Sequence, residues 1–286
     1  MKSCFQNKNI EDFRRFMNEP NLQACIAEEY NSITSKQKKE RHHGMIKKLK
    51  ITGCFPYLPF RLYSPQSNKL ITRRTSFIDG YETKRKFICT KNPQKNDYET
   101  FWQTAWDNKV EIIVMTCQLT HNSYQYWSPK EGYVLIGKNF KVKTWRIIIS
   151  SHYTLTLFSL TASELKSKPE RMIFHYQYTA WPRDKFPHQL DAFIDFYYFV
   201  NDTYVTLGSR RADKQFPPIL VHCLDGVGSS QVFCALDICI TQLNRTGMLS
   251  LPNALTKMQK QKHGSINNSD LYALCYQLVK AYLDKI

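Results

Sequence analysis

The stretch VHCLDGVGSSQ, residues 221–231, ends an apolar run on His222 and Cys223 and continues through Leu224, Asp225, Gly226, Val227, Gly228, Ser229 and Ser230. Gly226 and Gly228 carry no Cβ, so the backbone between them can turn its N–H groups inward and approach a ligand closely. Ser229 opens an apolar stretch with helical spacing, and the start of that helix would aim its partial positive charge at the same spot. A cysteine beneath such an anion nest is expected to ionise. A thiolate there can attack phosphorus and carry a cysteinyl-phosphate, with Ser230 placed to steady the sulfur as leaving group. The plainer alternative is a buried cysteine at a tight strand-to-helix turn.

The elements that must position these residues are legible around them. PPILVHC, 217–223, is short and fully apolar, as expected of a strand at a sheet centre, and SSQVFCALDICITQL, 229–243, is the helix after it. KFICT (86–90) and EIIVMT (111–116) read as strands bracketing a helix at 98–108, a strand–helix–strand unit with a right-handed crossover. Residues 131–179 read as antiparallel strands, 9–47 as helical and 51–68, with three prolines, as loop. Helices are expected over 188–207, 253–261 and 269–286, the last capped by Ser269. The sum is an α/β fold with a mixed central sheet flanked by helices. Repeats and Gly/Ser-rich linkers are absent from the sequence, which favours one domain.

The 286 residues carry a net charge of +16, a field that favours anionic partners. The densest run, KQKKERHHGMIKKLK at 36–50, reads as a solvated helix face. With neither an RNA-binding nor a helix-turn-helix signature, nucleic acid is not an expected partner. No apolar window is long enough for a membrane span, and the first residues lack a signal-peptide core, so a cytoplasmic location is expected. The nine cysteines (Cys4, Cys25, Cys54, Cys89, Cys117, Cys223, Cys234, Cys239 and Cys275) form no C-x-x-C pair and read as reduced thiols. His and Cys show no zinc-ligand spacing, so neither metal nor cofactor is expected.

From about residue 25 to the C-terminus the chain resembles the non-receptor protein tyrosine phosphatases. The resemblance rests on SFIDGYETKRKFICTKNPQKNDYETFWQTAWDNKVEIIVM (76–115), QYW (125–127), FHYQYTAWP (174–182), VHC (221–223), VFCALDICITQL (232–243) and MQKQKHG (258–264). Within that family it is most similar to the tyrosine-phosphatase-like proteins of bracoviruses, the polydnaviruses of parasitoid wasps. The resemblance implies a highly twisted mixed sheet, a phosphatase-like domain over 25–286 and an N-terminal helical extension over 1–24.

The family's motif runs His-Cys, five residues, then an arginine, where this chain has Ser229. That arginine grips two phosphate oxygens, and losing a preorganised donor costs roughly 10²–10³ in rate. The family's Trp-Pro-Asp loop is Trp181-Pro182-Arg183 here, with Asp184 one place late. Loss of a general acid costs roughly 10²–10⁴. Asp225 stands where the family has a small residue, and Asn267 where it has the glutamine that positions water. The phosphotyrosine-recognition Tyr and Asp fall near Ile51 and Gly53. Together the losses reach about 10⁴–10⁷.

The expectation is therefore a catalytically inactive tyrosine-phosphatase-like protein. It would be a monomer binding phosphorylated or acidic host proteins in a host-cell cytoplasm, competing for signalling partners and suppressing immune-cell responses. The alternative is a weakly active phosphatase with Cys223 as nucleophile, Asp184 as displaced acid and Arg183 as phosphate clamp. A third reading is a binder of anionic membrane or nucleic acid through 36–50.

Overall fold

The computed structural model describes residues 6–52, 62–63, 70–71, 75–120, 123–163, 170–182, 186–212 and 216–286, and of 42–52, 62–63, 70–71 and 136 the backbone alone. The elements run α1 (Ile10–Met17), α2 (Leu22–Thr52), β1 (Leu62–Tyr63), β2 (Leu70–Ile71), β3 (Ser76–Ile78), β4 (Phe87–Lys91), α3 (Tyr98–Asp107) and β5 (Ile112–Met115). They continue through β6 (Val134–Ile136), β7 (Phe140–Ile149), β8 (Tyr153–Ala162), β9 (Arg171–Tyr178), α4 (Leu190–Ser209), β10 (Ile219–Cys223), α5 (Ser229–Thr246), α6 (Leu251–Gln261) and α7 (Ser269–Lys285).

Eight strands form one mixed sheet in the order β3-β4-β10-β5-β9-β8-β7-β6. β10 lies parallel between β4 and β5, and β9 lies parallel to β5. Every residue of β10 and β5 is buried, as their unbroken apolar sequences require of strands covered on both faces. β6 to β9 form the antiparallel half. On one face, α5 packs Phe233 edge-on against Phe87 and Phe193. On the other, Trp102, Tyr126 and Phe158 form a second core under α3. α5 is buried along most of its length and ends at Gly247, whose left-handed φ of 67° closes the last turn.

The helical stretch expected over 9–47 is built of two helices. The chain turns between Met17 and Leu22, with Pro20 in the turn, and α2 then runs on to Thr52, through residues expected to be loop. Most of that expected loop, 53–61 and 64–68, lies outside the described residues. α1 buries Phe13 fully in the main core, stacked on Tyr276 of α7. α2 passes through residue 24 without a break and is held to α7 by Glu29, whose carboxylate accepts hydrogen bonds from the Tyr272 and Tyr276 hydroxyls, both at 2.6 Å. The cap of α7 is Asn268, not the expected Ser269: its side chain accepts from the Leu271 N–H at 2.8 Å.

Candidate functional site

Cys223 ends β10, and the chain turns over the next five residues into α5. Gly226 makes the turn possible: its φ is 76°, and a Cβ there would lie 2.8 Å from the Thr90 carbonyl. Gln231 donates to the Gly226 carbonyl at 3.2 Å and accepts from Ser265, and the Ile266 N–H bonds the Val227 carbonyl at 3.0 Å. The loop is thus braced from α5 and from the α6–α7 connection. Ile266 itself is held at φ 53°, a strained conformation for a β-branched residue.

The cradle is filled by its own chain. The Asp225 carboxylate turns back over the loop, and its Oδ1 accepts the N–H groups of Val227 at 2.9 Å and Gly228 at 3.1 Å. The same oxygen accepts the Cys223 thiol at 3.1 Å. The Gly226 N–H donates to Sγ at 3.2 Å, and Ser230 Oγ lies 3.0 Å from it. Burial, with the Asp225 charge second, raises the Cys223 pKa, and the Ser230 contacts offset it only in part. Against the lowering expected from the helix start, Cys223 is only 2 % exposed, with its thiol 3.1 Å from a carboxylate that adds to the raising effect of burial.

Ser229 turns away from the cradle, donating to the Thr116 carbonyl at 2.9 Å with the Thr116 hydroxyl also at 2.9 Å. His222 is fully buried, and its Nε2 lies 2.7 Å from the Tyr126 hydroxyl, which also meets His175 Nε2 at 2.8 Å. Burial pushes His175 down to about 3 and His222 well below its ordinary value, so both rings are neutral and neither lends Cys223 a positive charge. Lys262 is also buried; burial lowers its pKa, and the charges of Cys89, Cys223 and Asp225 offset this in part.

Above the cradle is a cleft of about 850 Å³ walled by Leu224, Trp181, Pro182, Phe186, Leu119 and Leu271. Trp181 is anchored edge-on against Phe193. Among the described residues lining the cleft there is no lysine or arginine, while Asp225 and Asp270 both face it. Asn267, at the position of the water-positioning glutamine, is exposed and accepts from the Asn268 side chain at 3.4 Å; Asn268 and Asp270 line the cleft. Arg183, Asp184 and Gly53 lie outside the described residues, and Ile51 falls in α2, where the backbone alone is described. Sequence reasoning missed Thr116, Cys117 and Phe186, which reach the site from the β5 end and from the segment before α4 and carry no motif of their own. Among the described residues no group of three or more His, Cys, Asp or Glu could hold a metal ion. Nor is any helix among them long and apolar enough to cross a membrane.

A cysteine at the base of a strand-to-helix anion nest, at the carboxyl end of a central parallel strand, is the architecture of a cysteine-dependent phosphatase domain. The chain belongs to the protein-tyrosine phosphatase family, whose profile matches residues 67–281. It is 35% identical over 285 residues to the probable tyrosine phosphatase protein J2 of Microplitis demolitor bracovirus (isolate Webb), covering 96% of this chain and 94% of that one. It is 35% identical over 218 residues to tyrosine phosphatase-like protein J3 of the same virus, covering 71% of this chain and 82% of that one. It is 31% identical over 220 residues to the human tyrosine-protein phosphatase non-receptor type 9, covering 73% of this chain and 37% of that longer protein.

Proposed function

We propose that this chain is a pseudophosphatase, a tyrosine-phosphatase scaffold that binds partners and does not turn over phosphotyrosine. The observation that carries the reading is the Asp225 carboxylate, which already holds the Val227 and Gly228 N–H groups that a phosphate would use. A phosphate must displace it and then sit beside a like charge. At ~4 Å that repulsion costs about 1–4 kcal/mol per unit of phosphate charge, between water and a surface dielectric. Ser229, at the position of the family's arginine, returns no cation to the site and spends its hydroxyl on Thr116. The thiol lies on the protonated side of its titration at neutral pH, so the nucleophile is held back as well.

On this reading the protein acts in the cytoplasm of a host cell. It competes for the phosphorylated or acidic partners of active phosphatases and so dampens immune-cell signalling, as a monomer through its basic surface. The test is capture of host-cell proteins on immobilised wild type and Cys223→Ser. Recovery of the same partners by both supports surface binding; their loss on mutation places recognition in the cradle and refutes it. The weakly active alternative requires Cys223 to remain the working nucleophile and predicts phosphotyrosine turnover that Cys223→Ser abolishes.

A further inference from the structure

β7 is ten residues long, but β6 pairs only with Lys141, Val142 and Lys143 of it. A register shift between Thr144 and Arg146 bulges the strand, and beyond it Trp145–Ile149 has no strand on its outer side among the described residues. Natural sheets blunt such edges with bulges and charges; this one has both, and it also presents Trp145 at 46%, Ile148 at 43% and Ile149 at 80% exposure, with Tyr133 at 60% beside them. One outward group is already engaged: the Ile147 N–H donates to Glu131 Oε1 at 2.7 Å. A side-chain carboxylate thus occupies the place where an added strand would put a carbonyl.

The patch is cationic as well as apolar. Residues 130–149 hold Lys130, Lys138, Lys141, Lys143 and Arg146 against the single acid Glu131. Lys143 lies 3.6 Å over the Trp145 ring and Lys130 5.6 Å over Tyr133. We infer that this edge is a docking site for an extended acidic segment of another protein, added as a strand beyond β7. Residues alternate along the ladder, so Arg146 and Ile148 bond β8 while Ile147 and Ile149 point their backbone groups outward; bonds to these two would supply affinity and alternating side chains the choice of partner. The carboxylates of the segment would lie on the face of Arg146 and Ile148, and its apolar side chains on the opposite face with Ile147 and Ile149. A second copy of this chain is the wrong occupant, because two such edges would bring their own lysines and arginines face to face. Four strand spacings, about 19 Å, separate β7 from β10. The inference shares with the proposed function only its expectation of a partner: Cys223 and Asp225 variants should leave this edge unaffected, so the two can fail separately.

The probe is a fluorescein-labelled blocked peptide of alternating Glu and Val, with two controls: one in which Lys replaces Glu, and one with alternate N-methylated residues that cannot donate to an edge. Binding is read at low and at high salt, together with amide hydrogen exchange across β7. Expected are salt-sensitive binding of the Glu peptide alone, new protection of the outward Ile147 and Ile149 amides, and affinity at least about ten-fold weaker in Arg146→Glu and in Ile148→Glu. Both substitutions are at exposed positions, and circular dichroism checks that each variant is folded. No binding of the Glu peptide, equal binding by the N-methylated one, protection elsewhere, or dimerisation through this edge in sedimentation would each overturn the inference.

Discussion

Asp225→Ala should convert the closed cradle into an anion site. In the wild type, Asp225 Oδ1 holds two backbone N–H groups and the Cys223 thiol. Alanine frees both N–H donors. Each such bond to an ionised oxygen is worth about 1.5–3 kcal/mol, so two restore about 3–6 kcal/mol of binding to an oxyanion. Asp225 is exposed, so the lower end applies, and about 3 kcal/mol is still more than a hundred-fold in Kd. The thiol responds in the same experiment. Burial is the first cause of its raised pKa and survives the change, but the Asp225 charge and its acceptance of the thiol proton both vanish. The pKa of Cys223 therefore falls, and the pH midpoint of its alkylation moves down. The assay is calorimetric titration with tungstate beside iodoacetamide labelling of Cys223 followed by mass spectrometry across pH. Tungstate binding and a labelling midpoint both unchanged from wild type would refute the reasoning, because the carboxylate would not be what closes the cradle.

Three further expectations concern what holds the site in place. Gly226→Ala puts a Cβ 2.8 Å from the Thr90 carbonyl at a φ of 76°, and should lower stability by about 1–3 kcal/mol in thermal unfolding. Tyr126→Phe removes the shared partner of His175 and His222 in a fully buried network, and should cost about 1–3 kcal/mol in urea unfolding while leaving the secondary-structure spectrum unchanged. Glu29→Ala strands the Tyr272 and Tyr276 hydroxyls, at a cost of about 2–4 kcal/mol. Burial is the first cause that raises the Glu29 pKa, so the folded chain binds this proton more tightly than the unfolded one. Stability from this group is greatest below the unfolded carboxylate value and declines as pH rises through the folded one. Urea midpoints across that window should show the decline in wild type and a flatter profile in Glu29→Gln.

The strand, turn and helix of the cradle were legible because their signals are local. PPILVHC is uniformly apolar, Gly226 supplies the turn, and SSQVFCALDICITQL has helical spacing. The state of the site was not legible, because it depends on contacts between distant segments. Ser229 could be read as a missing cation, but not as a hydroxyl bonded to Thr116, 113 positions away. Asp225 could be read as a charge that repels phosphate. That its oxygen is the cradle's own ligand depends on the rotation of one side chain, which spacing does not encode. The ionisation expected of Cys223 weighed the helix start without the desolvation that prevails. Glu29 was missed for the same reason: beside Glu28 in a helical stretch it reads as solvent-facing until two tyrosines 243 and 247 residues on close over it.

Steady-state hydrolysis of a phosphotyrosine peptide by wild type beside Cys223→Ser tests the central claim most directly. A cradle closed by Asp225 over a protonated thiol predicts rates that cannot be told apart from the mutant at neutral pH. Turnover well above the mutant would contradict it, and would mean that Asp225 leaves the loop when substrate arrives and another cation takes the phosphate.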